Sequence, residues 1–173
     1  YRLAVQLSPK GSVIQLVALR MMAEYLHDQE EDVEAADALE QAADAMDENK
    51  QKGLEANNAG VPAETVRARM KYLRACYAGS QGDQAAANRW LEEAIEHDRF
   101  DAEVIIGLFR LPEQNDIQRQ RTRKLLAAAV EHYRQQIAQD NDNETLYNQL
   151  AWLIGNTTGD FDEAIRLSEE SLR

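Results

Sequence analysis

The sequence has few residues that cross-link a chain or force a turn. Of its 173 residues, one is cysteine, three are proline and eight are glycine. The single cysteine, Cys76, excludes an internal disulfide and leaves the cellular compartment open. The scarcity of proline and glycine argues against a sheet fold with many tight turns and favours helices.

Long apolar runs and a positive charge balance are also missing. No apolar run reaches the ~18 residues of a membrane-spanning helix, so no membrane span is predicted. The 19 Lys and Arg against 31 Asp and Glu give a net charge of −12, which opposes binding to nucleic acid. The basic cluster at residues 119–124 lacks the interleaved aromatic residues of a single-strand-binding surface. The acidic run from Asp28 to Glu48 is interpreted as a solvated helix face.

Apolar residues recur at helical spacing along most of the chain and predict helices separated by short breaks. Such breaks place successive helices antiparallel. Side chains able to cap a helix N-terminus precede four of these segments, at Ser12, Asp83, Asp116 and Asp160. Pro62 suits the first turn of another helix.

Two segments are less regular. The polar stretch 48–60 is predicted to contain the longest loop, although the preceding helix can run into it. The β-branched run 104–106 resembles a strand, but a lone strand in a helical chain has nothing to pair with. Pro112 is expected to end this short apolar segment.

An internal repeat is visible near both ends of the sequence. The pattern Leu-x2-Met-Ala-x2-Leu around Ala23 matches Tyr-x2-Leu-Ala-x2-Ile around Ala151. In both copies a second alanine follows after 13 residues, Ala36 in the first and Ala164 in the last. Repetition of this kind predicts stacked helical hairpins in which small residues allow close helix approach.

These residues resemble the tetratricopeptide repeat (TPR) family, whose unit has roughly 34 residues. Its first helix is matched by Tyr147, Leu150, Ala151 and Ile154, and its second by Ala87, Leu91 and Ala94. The resemblance implies an all-α fold of antiparallel hairpins stacked as a right-handed superhelix, an α-solenoid. One domain over 1–173 is expected, with hairpins at 12–51, 62–98, 101–139 and 143–173. Residues 1–11 resemble the end of a preceding repeat, which suggests a segment of a longer array.

The resemblance also implies a binding groove lined by the first helix of each repeat. The positions that correspond to the groove are Arg20, Glu24, His27, Arg69, Tyr72, Cys76, Glu103, Ile106, Arg110, Asn148 and Trp152. Tyr72 and Trp152 are the strongest candidates, because aromatic residues often carry binding energy. Trp152 equally fits packing against a neighbouring repeat.

Motifs of catalysis and metal binding are not found. The stretch Asp140 to Glu144 resembles a calcium loop, but Thr145 and Ala151 stand where that loop needs glycine and glutamate. The three histidines show no ligand spacing, and Cys76 is expected to pack in a helix. No metal, cofactor or catalytic residue is therefore predicted.

The sequence favours a non-catalytic module that binds a protein or peptide. The alternative is a regulatory or scaffolding segment of a larger enzyme whose catalytic domain lies outside these residues. Self-association through uncapped repeat ends is a third possibility.

Overall fold

The computed structural model describes residues 1–54, 61–111 and 114–172. All regular secondary structure in these ranges is helical, which confirms the all-α prediction. The helices are α1 (Arg2–Leu7), α2 (Val13–Asp28), α3 (Asp32–Gln51), α4 (Ala63–Ser80), α5 (Gln84–His97), α6 (Ala102–Arg110), α7 (Asp116–Gln139), α8 (Glu144–Asn156) and α9 (Phe161–Glu170).

The chain divides into two compact units. Unit 1 covers Tyr1–Asp98 and contains α1 to α5, while unit 2 covers Arg99–Arg173 and contains α6 to α9. In unit 1, α3 packs against α2 and α4, and α4 packs against α5. In unit 2, α8 packs against α6, α7 and α9.

Side-chain caps begin several helices, as predicted. The hydroxyl of Ser12 accepts a hydrogen bond from the Gln15 backbone N–H. Asp83 caps α5 through the N–H of Ala86 at 2.9 Å, and Asp160 caps α9 in the same way. Each cap satisfies a backbone donor that has no partner within its helix.

The start of α7 differs by one residue from the prediction of Asp116. Asn115 is the N-cap, and its side chain accepts from the Gln118 N–H at 2.9 Å. The Gln118 side chain in turn accepts from the Asn115 N–H at 3.0 Å, which completes a capping box. This reciprocal pair favours Asn115, because the residue three positions after Asp116 is Arg119, whose side chain pairs with Asp116 but cannot accept a hydrogen bond from its backbone N–H.

The irregular segments also resolve into helix. α3 continues to Gln51, so the polar stretch predicted as a loop at 48–60 is helical at its start. Residues 55–60 of that stretch lie outside the described residues. Pro62 is the N-cap of α4 and so precedes its first turn. The run 104–106 lies within α6, and Pro112 falls outside the described residues.

The core of unit 1 combines large side chains of α2 with small ones of α3. Leu16 and Leu19 of α2 and Met46 of α3 are among its largest fully buried side chains. On α3 the other buried apolar positions are mostly alanines: Ala35, Ala36, Ala38, Ala42, Ala43 and Ala45. Small side chains on α3 allow its neighbours to approach closely.

A buried polar contact fixes the loop before α2 to the end of α3. The Asn49 side-chain amide, 5% exposed, donates to the carbonyl of Gly11 at 2.9 Å. Gly11 has φ of 73°, a left-handed conformation that favours glycine. Nearby, Lys10 forms an ion pair with Glu48 at 2.6 Å. Two adjacent contacts therefore hold this loop to α3.

The core of unit 2 is built from α6, α7 and α8. Its largest fully buried side chains are Val104 and Ile105 of α6 and Leu150 and Leu153 of α8. The hydroxyl of Tyr133 on α7 donates to the Phe100 carbonyl at 3.0 Å. This bond satisfies the polar end of an otherwise buried aromatic residue.

The α8–α9 hairpin closes around small residues. A Cβ atom added to Gly155 would lie 3.6 Å from the Cβ of Ala164, so the two helices meet at these positions. We expect Ala164→Leu to lower the free energy of unfolding by about 1–3 kcal/mol, because the added atoms overpack this contact. Urea denaturation followed by circular dichroism measures the change.

Ala127→Leu is the matched control for that substitution. Ala127 lies on α7 and is exposed, so the same change there adds side-chain volume outside the core. If both variants unfold at the same urea concentration as the native chain, α8 and α9 do not meet at Ala164.

Candidate partner-binding surfaces

Three of the residues predicted from the groove pattern share one face of α2. Arg20, Glu24 and His27 follow at spacings of four and three residues, which places them side by side on a helix. Glu24 is exposed, while Arg20 and His27 are half-buried. The face is therefore accessible to a partner but partly shielded from water.

Three more of the predicted residues lie along α4. Arg69, Tyr72 and Cys76 follow at spacings of three and four residues, and all are half-buried. Tyr72 packs in part against the core of unit 1, which restricts its ring. A restricted aromatic ring loses little conformational freedom on binding.

The structure brings side chains of α2 and α4 together. The rings of His27 and Tyr72 have centroids 6.1 Å apart at an interplanar angle of 74°, an edge-to-face contact. Arg20 interacts electrostatically with both Glu24 and Arg69. We call the surface formed by Arg20, Glu24, His27, Arg69, Tyr72 and Cys76 the α2–α4 surface.

The electrostatic environment of Arg20 reflects its position on this surface. Burial lowers the pKa of Arg20 below the usual arginine value, and the positive charge of Arg69 lowers it further. The carboxylate of Glu24 acts in the opposite direction. Arg20 and Arg69 thus place two positive charges near the carboxylate of Glu24 in a partly shielded region.

His27 is held in place from the start of α3. Its Nδ1 atom lies 2.5 Å from the Oδ1 atom of Asp32, whose side chain is only 13% exposed. Together with the Tyr72 ring, this contact fixes the imidazole on two sides. A preorganised polar group of this kind costs little further ordering when a ligand binds.

In unit 2 the predicted residues are divided between core and surface. Ile106 is 2% exposed and belongs to the core, so its assignment to the groove is wrong. Its β-branched side chain continues the apolar run of α6 instead. Glu103 is half-buried, whereas Arg110 and Asn148 are exposed and Trp152 is 49% exposed.

One residue near Trp152 was missed by sequence reasoning. Asn156 accepts a hydrogen bond from Arg110 at 2.5 Å and donates to the Trp152 carbonyl at 2.8 Å. It therefore connects α6 to the helix that carries Trp152. The sequence feature that could have identified Asn156 is its position four residues after Trp152, which places the two side chains on the same helix face.

The charged residues of α3 and α4 form an outer network. Arg74 of α4 reaches Asp37 at 3.3 Å and Glu40 at 2.9 Å, and Arg67 pairs with Asp47. The acidic run of α3 is thus partly neutralised within unit 1. Solvated pairs of this kind contribute little stability, on the order of 0–1 kcal/mol each.

The histidines lie in separate environments. His97 pairs with Glu64 at 2.7 Å, and His132 stacks on Phe100 with centroids 4.0 Å apart.

Across residues 1–54, 61–111 and 114–172, no group of three or more His, Cys, Asp or Glu side chains could hold a metal ion. The turn after α7 is instead closed by Asn143, which donates to Asp140.

No protein-family model, curated protein or solved structure matches this chain. The resemblance to TPR proteins therefore rests on the residue pattern. In the part of the chain that the structure describes, no helix has both the length and the apolar character needed to cross a membrane.

Proposed function

We propose that this chain is a non-catalytic, TPR-like helical-repeat module that binds a peptide or protein segment on the α2–α4 surface. The observation that carries the proposal is the contact between the rings of His27 on α2 and Tyr72 on α4. Arg20 on α2 also interacts electrostatically with Arg69 on α4. The ring contact joins α2 and α4, so that their exposed side chains belong to one surface. Their side chains are ordered by neighbours yet remain partly accessible.

The chemistry of this surface defines the kind of segment it accepts. Arg20 and Arg69 supply positive charge, Glu24 supplies negative charge, and Tyr72 supplies an apolar ring with a polar tip. A segment that carries both an acidic residue and an apolar side chain complements the charge and the apolar ring of this surface. Anchoring by one aromatic and one arginine is typical of binding hot spots.

Selection from a phage-displayed random peptide library tests the proposal. Peptides recovered on the native chain are expected to bind Arg69→Ala and Tyr72→Ala at least about tenfold more weakly, since truncation of a hot-spot residue costs about 2 kcal/mol or more. Isothermal titration with synthetic peptides measures the affinities. Melting curves establish that each variant is folded at the assay temperature.

Tyr77→Ala is the matched control. Tyr77 is an exposed tyrosine on the same helix, but its spacing from Tyr72 places it on a different face. Peptides should bind this variant as they bind the native chain. The proposal fails if the library yields no binder, or if the selected peptides bind all three variants with native affinity.

A further inference from the structure

The imidazole of His27 has one nitrogen bound by the protein and one nitrogen open. Nδ1 lies 2.5 Å from Oδ1 of Asp32, the first residue of α3. Nε2 has no hydrogen-bond partner among the residues that the structure describes. In the same residues, the buried side-chain N and O atoms without a partner are limited to Oδ1 of Asn88, so the unpaired Nε2 is not buried. It therefore reaches solvent on the α2–α4 surface, where the His27 side chain is 41% exposed.

The partner of Nδ1 decides which nitrogen of His27 carries the proton. An ionised carboxylate only accepts hydrogen bonds, so Nδ1 must donate to Asp32. In the neutral ring the proton is thus on Nδ1, while Nε2 keeps its lone pair and can only accept. The contact with Asp32 selects one of the two neutral tautomers.

The direction of the Nε2 lone pair is fixed by two helices. Asp32 holds the ring from α3, and Tyr72 meets it edge to face from α4. Both neighbours are themselves restricted, because the Asp32 side chain is 13% exposed and Tyr72 packs in part against the core. A ligand group can therefore use this acceptor at little cost in ordering.

We infer that Nε2 of His27 accepts a hydrogen bond from an N–H group of the segment that binds the α2–α4 surface. This inference rests on the proposed function, since it assigns one contact of the same site. A peptide segment carries a backbone N–H at every residue except proline, and each needs an acceptor when it is shielded from water. The backbone carbonyls of a helix are already paired within it, so acceptors on this surface come from side chains.

Protonation of His27 reverses the role of Nε2. The imidazolium donates from both nitrogens, so the bond to Asp32 remains while a second N–H now points at the N–H of the ligand. A group that only donates cannot adapt to this change. Binding should therefore weaken as the pH falls through the titration of this ring.

Imidazole is the only side-chain type around this ring that ordinarily changes charge between about pH 5.5 and 7.5. The titratable side chains of residues 28–32 are all carboxylates. The other titratable or charged groups of the α2–α4 surface are Arg20, Glu24, Arg69, Tyr72 and Cys76.

The affinity of selected peptides at two pH values tests the inference. Peptides recovered at about pH 7.5 should bind the native chain at least about fivefold more weakly at about pH 5.5, because their N–H group loses its acceptor. Glutamine keeps an acceptor oxygen but does not titrate, so the affinity of His27→Gln should change less than about twofold. Titration of the peptide itself affects both proteins equally and cancels in the comparison.

His97→Gln is the matched control. Nδ1 of His97 also pairs with a carboxylate, Oε2 of Glu64 at 2.7 Å, but His97 ends α5 and is not part of the α2–α4 surface. This variant should keep the pH response of the native chain. Melting curves at both pH values establish that each protein is folded.

Nitrogen-15 NMR of the free chain tests the tautomer without a ligand. At the higher pH, Nδ1 of His27 should show the chemical shift of a protonated ring nitrogen and Nε2 that of an unprotonated one. The signals are identified by their loss in His27→Gln. Asp32→Ala should abolish the preference, because it removes the acceptor of Nδ1. A native ring that carries its proton on Nε2 would overturn the inference.

The outcomes of the binding experiment separate this inference from the proposed function. A library without binders removes both. Peptides that depend on Tyr72 but show the same pH response with the native chain and His27→Gln remove the inference alone. Tighter binding at the lower pH that requires His27 also overturns it, because the segment would then offer an acceptor to Nε2.

Discussion

Gly11→Ala is expected to lower the free energy of unfolding by about 2–5 kcal/mol. The φ of 73° disfavours alanine by about 1–2 kcal/mol. The new Cβ atom would also lie 2.8 Å from the Oδ1 atom of Asn49. Asn49 must then move and loosen its hydrogen bond to the Gly11 carbonyl, which leaves buried polar groups poorly paired, at about 1–3 kcal/mol. Urea denaturation monitored by circular dichroism measures the total.

Gly82→Ala separates the two contributions. Gly82 has a similar φ of 79°, but a Cβ atom there would have no neighbour within 4 Å. Only the backbone penalty of about 1–2 kcal/mol is expected. In an Asn49→Ala background, Gly11→Ala should cost no more than Gly82→Ala, because the obstructing side chain has been removed. Equal effects of Gly11→Ala and Gly82→Ala in the native chain would contradict the role of Asn49.

Asp101→Ala is expected to destabilise unit 2 by about 2–3 kcal/mol. The Asp101 carboxylate, 5% exposed, accepts from the backbone N–H groups of Glu103 and Val104 at 3.0 and 3.2 Å. Loss of an N-cap costs up to about 2 kcal/mol, and the buried Val104 donor adds a desolvation penalty. The effect is measured by urea denaturation followed by the fluorescence of Trp152, in a Trp90→Phe background because Trp90 of unit 1 also fluoresces.

Asp101→Asn and Asp83→Ala are the comparisons for this substitution. Asparagine keeps an acceptor oxygen and should retain most of the stability. Asp83 caps α5 through an exposed hydrogen bond, so its removal should cost only about 1 kcal/mol. If Asp101→Ala costs no more than Asp83→Ala, burial of the cap has no effect on its strength.

The helices and most of their first residues could be predicted, because apolar periodicity and capping residues lie within the helix itself or directly before it. Ser12, Asp83 and Asp160 precede apolar periodicity and accept from N–H groups three residues later. The error at α7 has the same local origin. Asn115 and Asp116 are both good capping residues, and the choice depended on the reciprocal bond of Gln118.

The surface residues were only partly predictable. On α2 and α4, helical spacing alone places Arg20 beside Glu24 and Arg69 beside Tyr72. Ile106 was misassigned because an apolar side chain fits a groove or a core equally well, and only packing distinguishes them. Asn156 was missed because its importance depends on Arg110, a residue 46 positions away.

Polar contacts between residues far apart in the chain could not be predicted from the sequence. Asn49 and Gly11 are 38 residues apart, and neither belongs to a recognisable motif. Their contact depends on where α3 ends relative to the loop before α2. The division of the chain into two units likewise depends on how the helices pack, which periodicity does not specify.

The alanine-rich face of α3 has a consequence for how this protein can change in evolution. Alanine has no side-chain rotamers to lose on burial, so only the backbone of these positions loses entropy on folding. Because α3 packs against both α2 and α4, a larger side chain at one of these buried alanines would have to displace one of those helices. The alanine positions of this buried face are thus restricted to the smallest residues, whereas the exposed acidic positions can change and give the surface new properties.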